Sequence, residues 1–160
     1  MKSGILWRLA DELIVGVQAG TIEDHQWNGM VEAGLRQAKG TGFFQTIVFI
    51  EHGPPPTSSQ RLTLHRAIEG LTWRSAAVTD SKIIRLATTA MSWFQPGLRT
   101  FSFKDTKGAL EHVRAEGTTL AALHASVNEM YVALGRYPRL VLPTSSPESQ
   151  SGWAKVLERR

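Results

Sequence analysis

A chain of 160 residues with 42% hydrophobic side chains is the size of one domain and carries enough apolar material for one core. It has no cysteine, which excludes disulfides, thiolate metal sites, iron–sulfur clusters and cysteine nucleophiles together, and points to a reducing, cytoplasmic compartment. The net charge of +4 suggests nucleic acid, but from Pro138 onward Arg139, Lys155, Arg159 and Arg160 outnumber Glu148 and Glu158 by two, so half of the excess belongs to the tail. The rest is interspersed with acids instead of gathered into a phosphate-binding stripe, and no nucleic-acid partner is expected.

Arg8, Asp11 and Glu12 interrupt the apolar N-terminus, so it reads as mature structure and not as a signal peptide. No apolar run approaches the roughly 20 residues of a membrane-spanning helix. Ile5–Leu9 and Leu13–Val17 flank the polar Asp11-Glu12 and predict a β-hairpin. After Gly20, the stretch from Thr21 to Asp24 offers a capping start for a helix whose buried face is Trp27, Met30, Val31, Gly34, Leu35 and Ala38, ending at Gly40. Phe43 to Ile50 is the continuous apolar run of a strand covered on both faces. Pro54-Pro55-Pro56 breaks it, and Ser58 or Ser59 is placed to cap a second helix with Leu64, Ala67, Ile68 and Leu71 inward.

A short strand is expected from Arg74 to Thr79, followed by a third helix capped by Asp80 and burying Ile83, Ile84, Ala87, Met91 and Phe94. Pro96-Gly97 stops it. Thr100 to Phe103 alternates as a strand, Asp105 begins a fourth helix with Ala109, Leu110 and Val113 inward, and Gly117 ends that helix. In a fifth helix Leu120, Leu123, Val127, Met130 and Leu134 recur every three or four residues, a seam suited to packing on the domain. The predicted fold is therefore α/β: a mixed β-sheet opened by a β-hairpin and followed by alternating strands and helices, with an extra C-terminal helix. One domain is expected over 1–137, including the helix at about 119–134, and a flexible Pro/Ser-rich tail over 138–160.

Catalytic apparatus is not legible. The histidines at 25, 52, 65, 112 and 124 have no metal-ligand spacing, and Gly40-Thr41-Gly42 precedes a strand instead of following one, so neither a metal nor a dinucleotide cofactor is expected. Glu51-His52 follows the buried strand, where α/β folds place ligand sites, but a polar pair at a loop end is its ordinary meaning. The helix starts at Ser58/Ser59 and Asp80/Ser81, with Arg61, Lys82 and Arg85 in the first turns, form a candidate surface for an acidic or phosphorylated group. Trp73, Trp93 and Phe94 are candidates for lining an apolar ligand pocket, against the plainer role of core aromatics.

The stretches RSAAVTDSKIIRLATTAMSWF (74–94) and RTFSFKDTKGALEHV (99–113) resemble the STAS-like superfamily, more narrowly its SpoIIAA-like, or STAS/SEC14-like, group. They match an alanine-valine strand, a T-D-S cap, an arginine-bearing helix ending in tryptophan-phenylalanine, and a strand leading into an A-L helix. The resemblance spans about residues 5 to 115 in element order. It implies a regulatory or ligand-binding domain without enzymatic activity. In phosphorylated STAS members the acceptor serine opens the second helix, which here is the place of Ser58 and Ser59, but the family's preceding aspartate and following glycine are missing. The leading expectation is a non-enzymatic signalling domain that binds a protein partner through the N-terminal ends of its second and third helices. The alternative is a module for a lipid-like or nucleotide ligand, and either reading is compatible with a homo-oligomer.

Overall fold

The computed structural model describes residues 3–136, apart from Glu116. The expected tail, 138–160, lies outside the described residues. Five strands form one sheet in the order β1-β2-β3-β4-β5. Strands β1 (Gly4–Ala10) and β2 (Leu13–Ala19) pair antiparallel as the predicted hairpin. Their two-residue turn places Asp11 at φ 55°, the left-handed conformation that a tight hairpin matching strand twist demands.

Strands β3 (Phe43–His52), β4 (Thr72–Val78) and β5 (Leu98–Phe101) then add in parallel, each after a crossover helix. These are α1 (Asp24–Thr41), α2 (Ser58–Ala67) and α3 (Lys82–Ser92). Because the strands follow one another across the sheet, right-handed crossovers carry all three helices to the same face. The opposite face receives α4 (Thr106–Val113) and α5 (Leu120–Ala133). Element order agrees with the sequence reading throughout.

Residue alternation on the strands sends side chains to two separate cores. On the α4/α5 face, Val15, Val17, Ile47, Phe49, Ala76 and Val78 meet Ala109, Val113, Leu123, Val127 and Tyr131 in one buried cluster. Arg8 of β1 pairs with Glu129 of α5, and Thr106 Oγ1 lies 2.8 Å from His124 Nε2, so both helices are also tied down by polar contacts. On the other face Ile5, Ile14 and Phe44 pack against Trp27, Met30, Val31 and Ala38 of α1, with Leu64 and Ala67 of α2, and Ile68 just after it, at the margin. Gly34 is required there, since a Cβ would stand 2.4 Å from the Phe44 ring.

Several caps differ from expectation, each for a local reason. Thr57, not Ser58 or Ser59, caps α2, because Gln60 three residues on closes a reciprocal capping box with it. Glu23 and Gln26 do the same for α1, in place of a cap at Thr21, and α1 runs past Gly40 to a left-handed Gly42. Ser81 caps α3, while Asp80 accepts a bond from the Phe103 backbone N–H at 3.1 Å.

The larger departure concerns α3. It packs chiefly on β5, the sheet edge, and of its own residues only Thr88 is buried. Ile83 is 80% exposed, Leu86 72%, Trp93 80% and Phe94 87%, and Ala87 is exposed too, whereas an inward face was expected for Ile83, Ala87 and Phe94. With 100° per residue, the apolar positions of α3 cover an arc of about 160°, wider than the roughly 100° needed to seat a helix on a core. Only one narrow strand lies beneath it, so much of that arc is left facing solvent.

Candidate functional site

Displacement of α3 toward the edge leaves the sheet uncovered between α2 and α3. The result is an apolar groove of about 320 Å³. Its floor is made by Phe44, Thr46 and Val48 of β3 with Trp73, Ser75 and Ala77 of β4. Ile84, Ala87 and Met91 of α3 form one wall, and Leu64 of α2 with Pro54, Pro55 and Pro56 forms the other. The prolines hold their places because buried Gln18 donates from Nε2 to the Pro54 carbonyl at 3.0 Å and to the Gly20 carbonyl at 3.0 Å. Gly53, at φ 123°, passes so close to the Gly20 carbonyl that a Cβ would be 2.2 Å from it, so this rim admits only glycine.

Polar groups in the groove are few and mostly paired. Thr46 donates to Ser75 Oγ at 2.7 Å across the floor. Arg61 is turned toward its own loop, donating to the Pro56 carbonyl at 2.6 Å and to Ser58 Oγ at 3.0 Å. Trp73 Nε1 is the exception: the atom is buried and has no hydrogen-bond partner among the described residues. A groove lined in this way suits an apolar ligand.

Of the aromatic candidates, Trp73 lines the groove. Trp93 and Phe94 do not; they stand outside it at the C-terminal end of α3. Sequence reasoning missed Ala77, Ile84, Ala87 and Met91 as a lining, because a helical apolar stripe looks the same whether it meets a core or a void. Ser58 and Ser59 are exposed, Lys82 and Arg85 are exposed, and the two helix starts lie on the edge of the sheet where β3 and β4 end. His52, at the end of β3, accepts from an Arg136 guanidinium N–H at 2.7 Å. Among the described residues no three His, Asp or Glu side chains gather to hold a metal, and no helix is long and apolar enough to cross a membrane.

The same architecture occurs in a crystal structure of an uncharacterized protein of the DUF3478 family, from Shewanella loihica PV-4. The superposition has a TM-score of 0.50 at 18% identity, covering 71% of this chain and 98% of that one. The fold is SpoIIAA-like. No protein-family model and no curated protein matches the chain. At this identity the SpoIIAA-like likeness speaks for architecture, and function rests on the side chains lining this chain's own surfaces.

Proposed function

We propose that this chain is a non-enzymatic regulatory domain that takes a lipid-like ligand in the groove between α2 and α3. The single observation behind this reading is an apolar groove walled by Leu64, Ile84, Ala87 and Met91 and floored in part by Trp73, whose buried Nε1 has no hydrogen-bond partner among the described residues. An acyl chain fits the walls, and a small rotation of the Trp73 ring toward the groove would let a carbonyl or hydroxyl oxygen of the ligand accept from the indole N–H, which otherwise carries the cost of a buried donor without an acceptor. A nucleotide suits this lining less well, since Arg61 is the one charged side chain along it among the described residues and is turned toward Pro56 and Ser58. Native mass spectrometry of the protein taken from cells should reveal a co-purified lipid. A fluorescent fatty acid should bind saturably and lose binding in Ala77→Leu, whose extra atoms fill the floor. A ligand-free mass together with no saturable fatty-acid binding overturns the reading.

A second reading, partner binding at the starts of α2 and α3, is favoured by the neighbouring exposed ridge of Ile83, Leu86, Trp93 and Phe94. Exposed apolar surface of this extent is uncommon on a monomer and marks interaction sites. Ser58, Ser59, Arg61, Asp80, Ser81, Lys82 and Arg85 would rim such an interface. Replacing Ser58, Ser59 and Arg85 in turn with glutamate should each weaken capture of the partner, and capture unaffected by all three removes this reading.

A further inference from the structure

On the α4/α5 face, at the edge of the packed core, lies a second and chemically opposite recess of about 400 Å³. Arg74 of β4, Arg99 of β5 and Arg114 at the end of α4 line it together, with His112 between them. The convergence follows from strand parity. Arg99 pairs with Ala76, two residues from Arg74, so both guanidiniums leave the sheet on the side where α4 ends. None of the three arginines has a carboxylate within salt-bridge distance among the described residues. The one acid lining the recess among the described residues, Glu111, is 4.0 Å from Lys107 on its own helix.

The recess is also held in shape. Arg114 has φ 56°, a left-handed conformation costly for a long side chain though open to glycine and asparagine, and its carbonyl and that of Val113 accept from buried Gln45 Nε2 at 3.1 and 2.7 Å. Arg74 donates to the His112 carbonyl at 3.3 Å. The His112 ring bonds to the Gly97 carbonyl at 2.9 Å and leans on Phe101 with centroids 5.7 Å apart. Gly97 is fixed in turn, since a Cβ would meet the Trp73 carbonyl at 2.3 Å. Burial, and after it the charges of Arg99 and Arg74, keep the imidazole below its ordinary pKa despite the Gly97 bond. Three like charges are thus brought together with no salt-bridge partner among the described residues, an arrangement that a doubly charged anion relieves.

We propose that Arg74, Arg99 and Arg114 form a binding site for a phosphate group, independent of the apolar groove. Planar guanidiniums match phosphate oxygens in pairs, which a scattered basic surface does not. The neutral imidazole leaves room for a further positive charge once the dianion is bound.

The test uses the full chain, with inorganic phosphate and pyrophosphate titrated against chloride at equal ionic strength and backbone amide resonances as the readout. Saturable shifts are expected at Gly97, Arg99, Gly108, His112 and Arg114. Arg99→Gln should weaken binding about tenfold, the loss of one charged hydrogen-bond partner. Arg99→Gln with Arg114→Asn should abolish it, asparagine being chosen because it tolerates the left-handed conformation. In wild type the His112 ring should titrate at higher pH with phosphate than without, against fixed charges at Arg74, Arg99 and Arg114 and the carboxylate of Glu111. Glycerol 3-phosphate and vesicles containing phosphatidic acid then separate a free phosphate ester from a lipid head group as the source. Shifts that follow chloride equally, binding undiminished in the folded double variant, or a His112 titration unmoved by phosphate would each overturn the site.

Discussion

The two faces of the sheet are built from similar side chains and end in different states. Behind α4 and α5, residues such as Val15, Phe49, Ala76, Leu123 and Tyr131 are wholly buried, and the polar groups at the margin tie the helices down. Behind α1, α2 and α3, the first helix packs on the sheet, the second leans on the first with Gln60 its one buried residue, and the third stands off, so that floor, wall and ridge remain open. Where helices land on neighbouring strands, apolar periodicity becomes core. A helix landing on the last strand has the same periodicity and becomes a groove wall instead.

The largest effects should come from truncating each face in turn. Leu123→Ala on the packed face is expected to cost about 2–5 kcal/mol, since the removed atoms leave a cavity that the sheet cannot collapse into. Met91→Ala in the groove wall should cost less than about 1 kcal/mol, because its contacts are already incomplete. Equilibrium urea unfolding reads both, and equal losses would mean that the groove is in fact packed. Adjacent alanines on β4 sharpen the contrast. Ala76 faces α4 and Ala77 faces the groove, as their partners Ile47 and Val48 do. Ala76→Leu should lose about 1–3 kcal/mol by overpacking, while Ala77→Leu should lose little or nothing.

Much of this was legible in the sequence. Hairpin, crossover strands and all five helices announce themselves through alternation, helical spacing and breakers such as Pro54-Pro55-Pro56 and Pro96-Gly97. The groove was not, apart from Trp73, because spacing tells which residues share a helix face and nothing about what lies opposite. The arginine recess was hidden for another reason. Arg74, Arg99 and Arg114 are far apart in the chain, and their alignment depends on β4 and β5 being neighbours in register and on Gln45, a β3 residue, holding the turn after α4. Parity did hold a signal, since Arg74 alternates with Ala76 and Val78, and Arg99 with Phe101.

A smaller effect should appear with pH at the border of the packed face. The unfolded chain protonates His112 near its ordinary value of 6.5, whereas in the folded protein burial, with Arg99 and Arg74, lowers its pKa. Fewer protons are therefore bound by the folded state in this window, and stability falls as pH drops below about 6.5 toward the folded pKa. His112→Gln retains a donor for the Gly97 carbonyl but does not titrate, so its unfolding midpoint should decline less between pH 7.5 and 5 in phosphate-free buffer. Identical slopes would remove the histidine from this balance.

The smallest change in stability belongs to the ridge of α3. Trp93 and Phe94 are 80% and 87% exposed, so Trp93→Gln with Phe94→Ser removes almost no buried area. The unfolding midpoint should move by no more than the equivalent of about 0.5 kcal/mol, the range of ordinary surface changes. Fatty-acid binding should also persist, because neither ring lines the groove. What should change is the dependence of sedimentation on concentration, since these rings supply much of the exposed apolar surface. A large loss of stability instead would place the rings against the domain, and would extend the packed character of one face to the other.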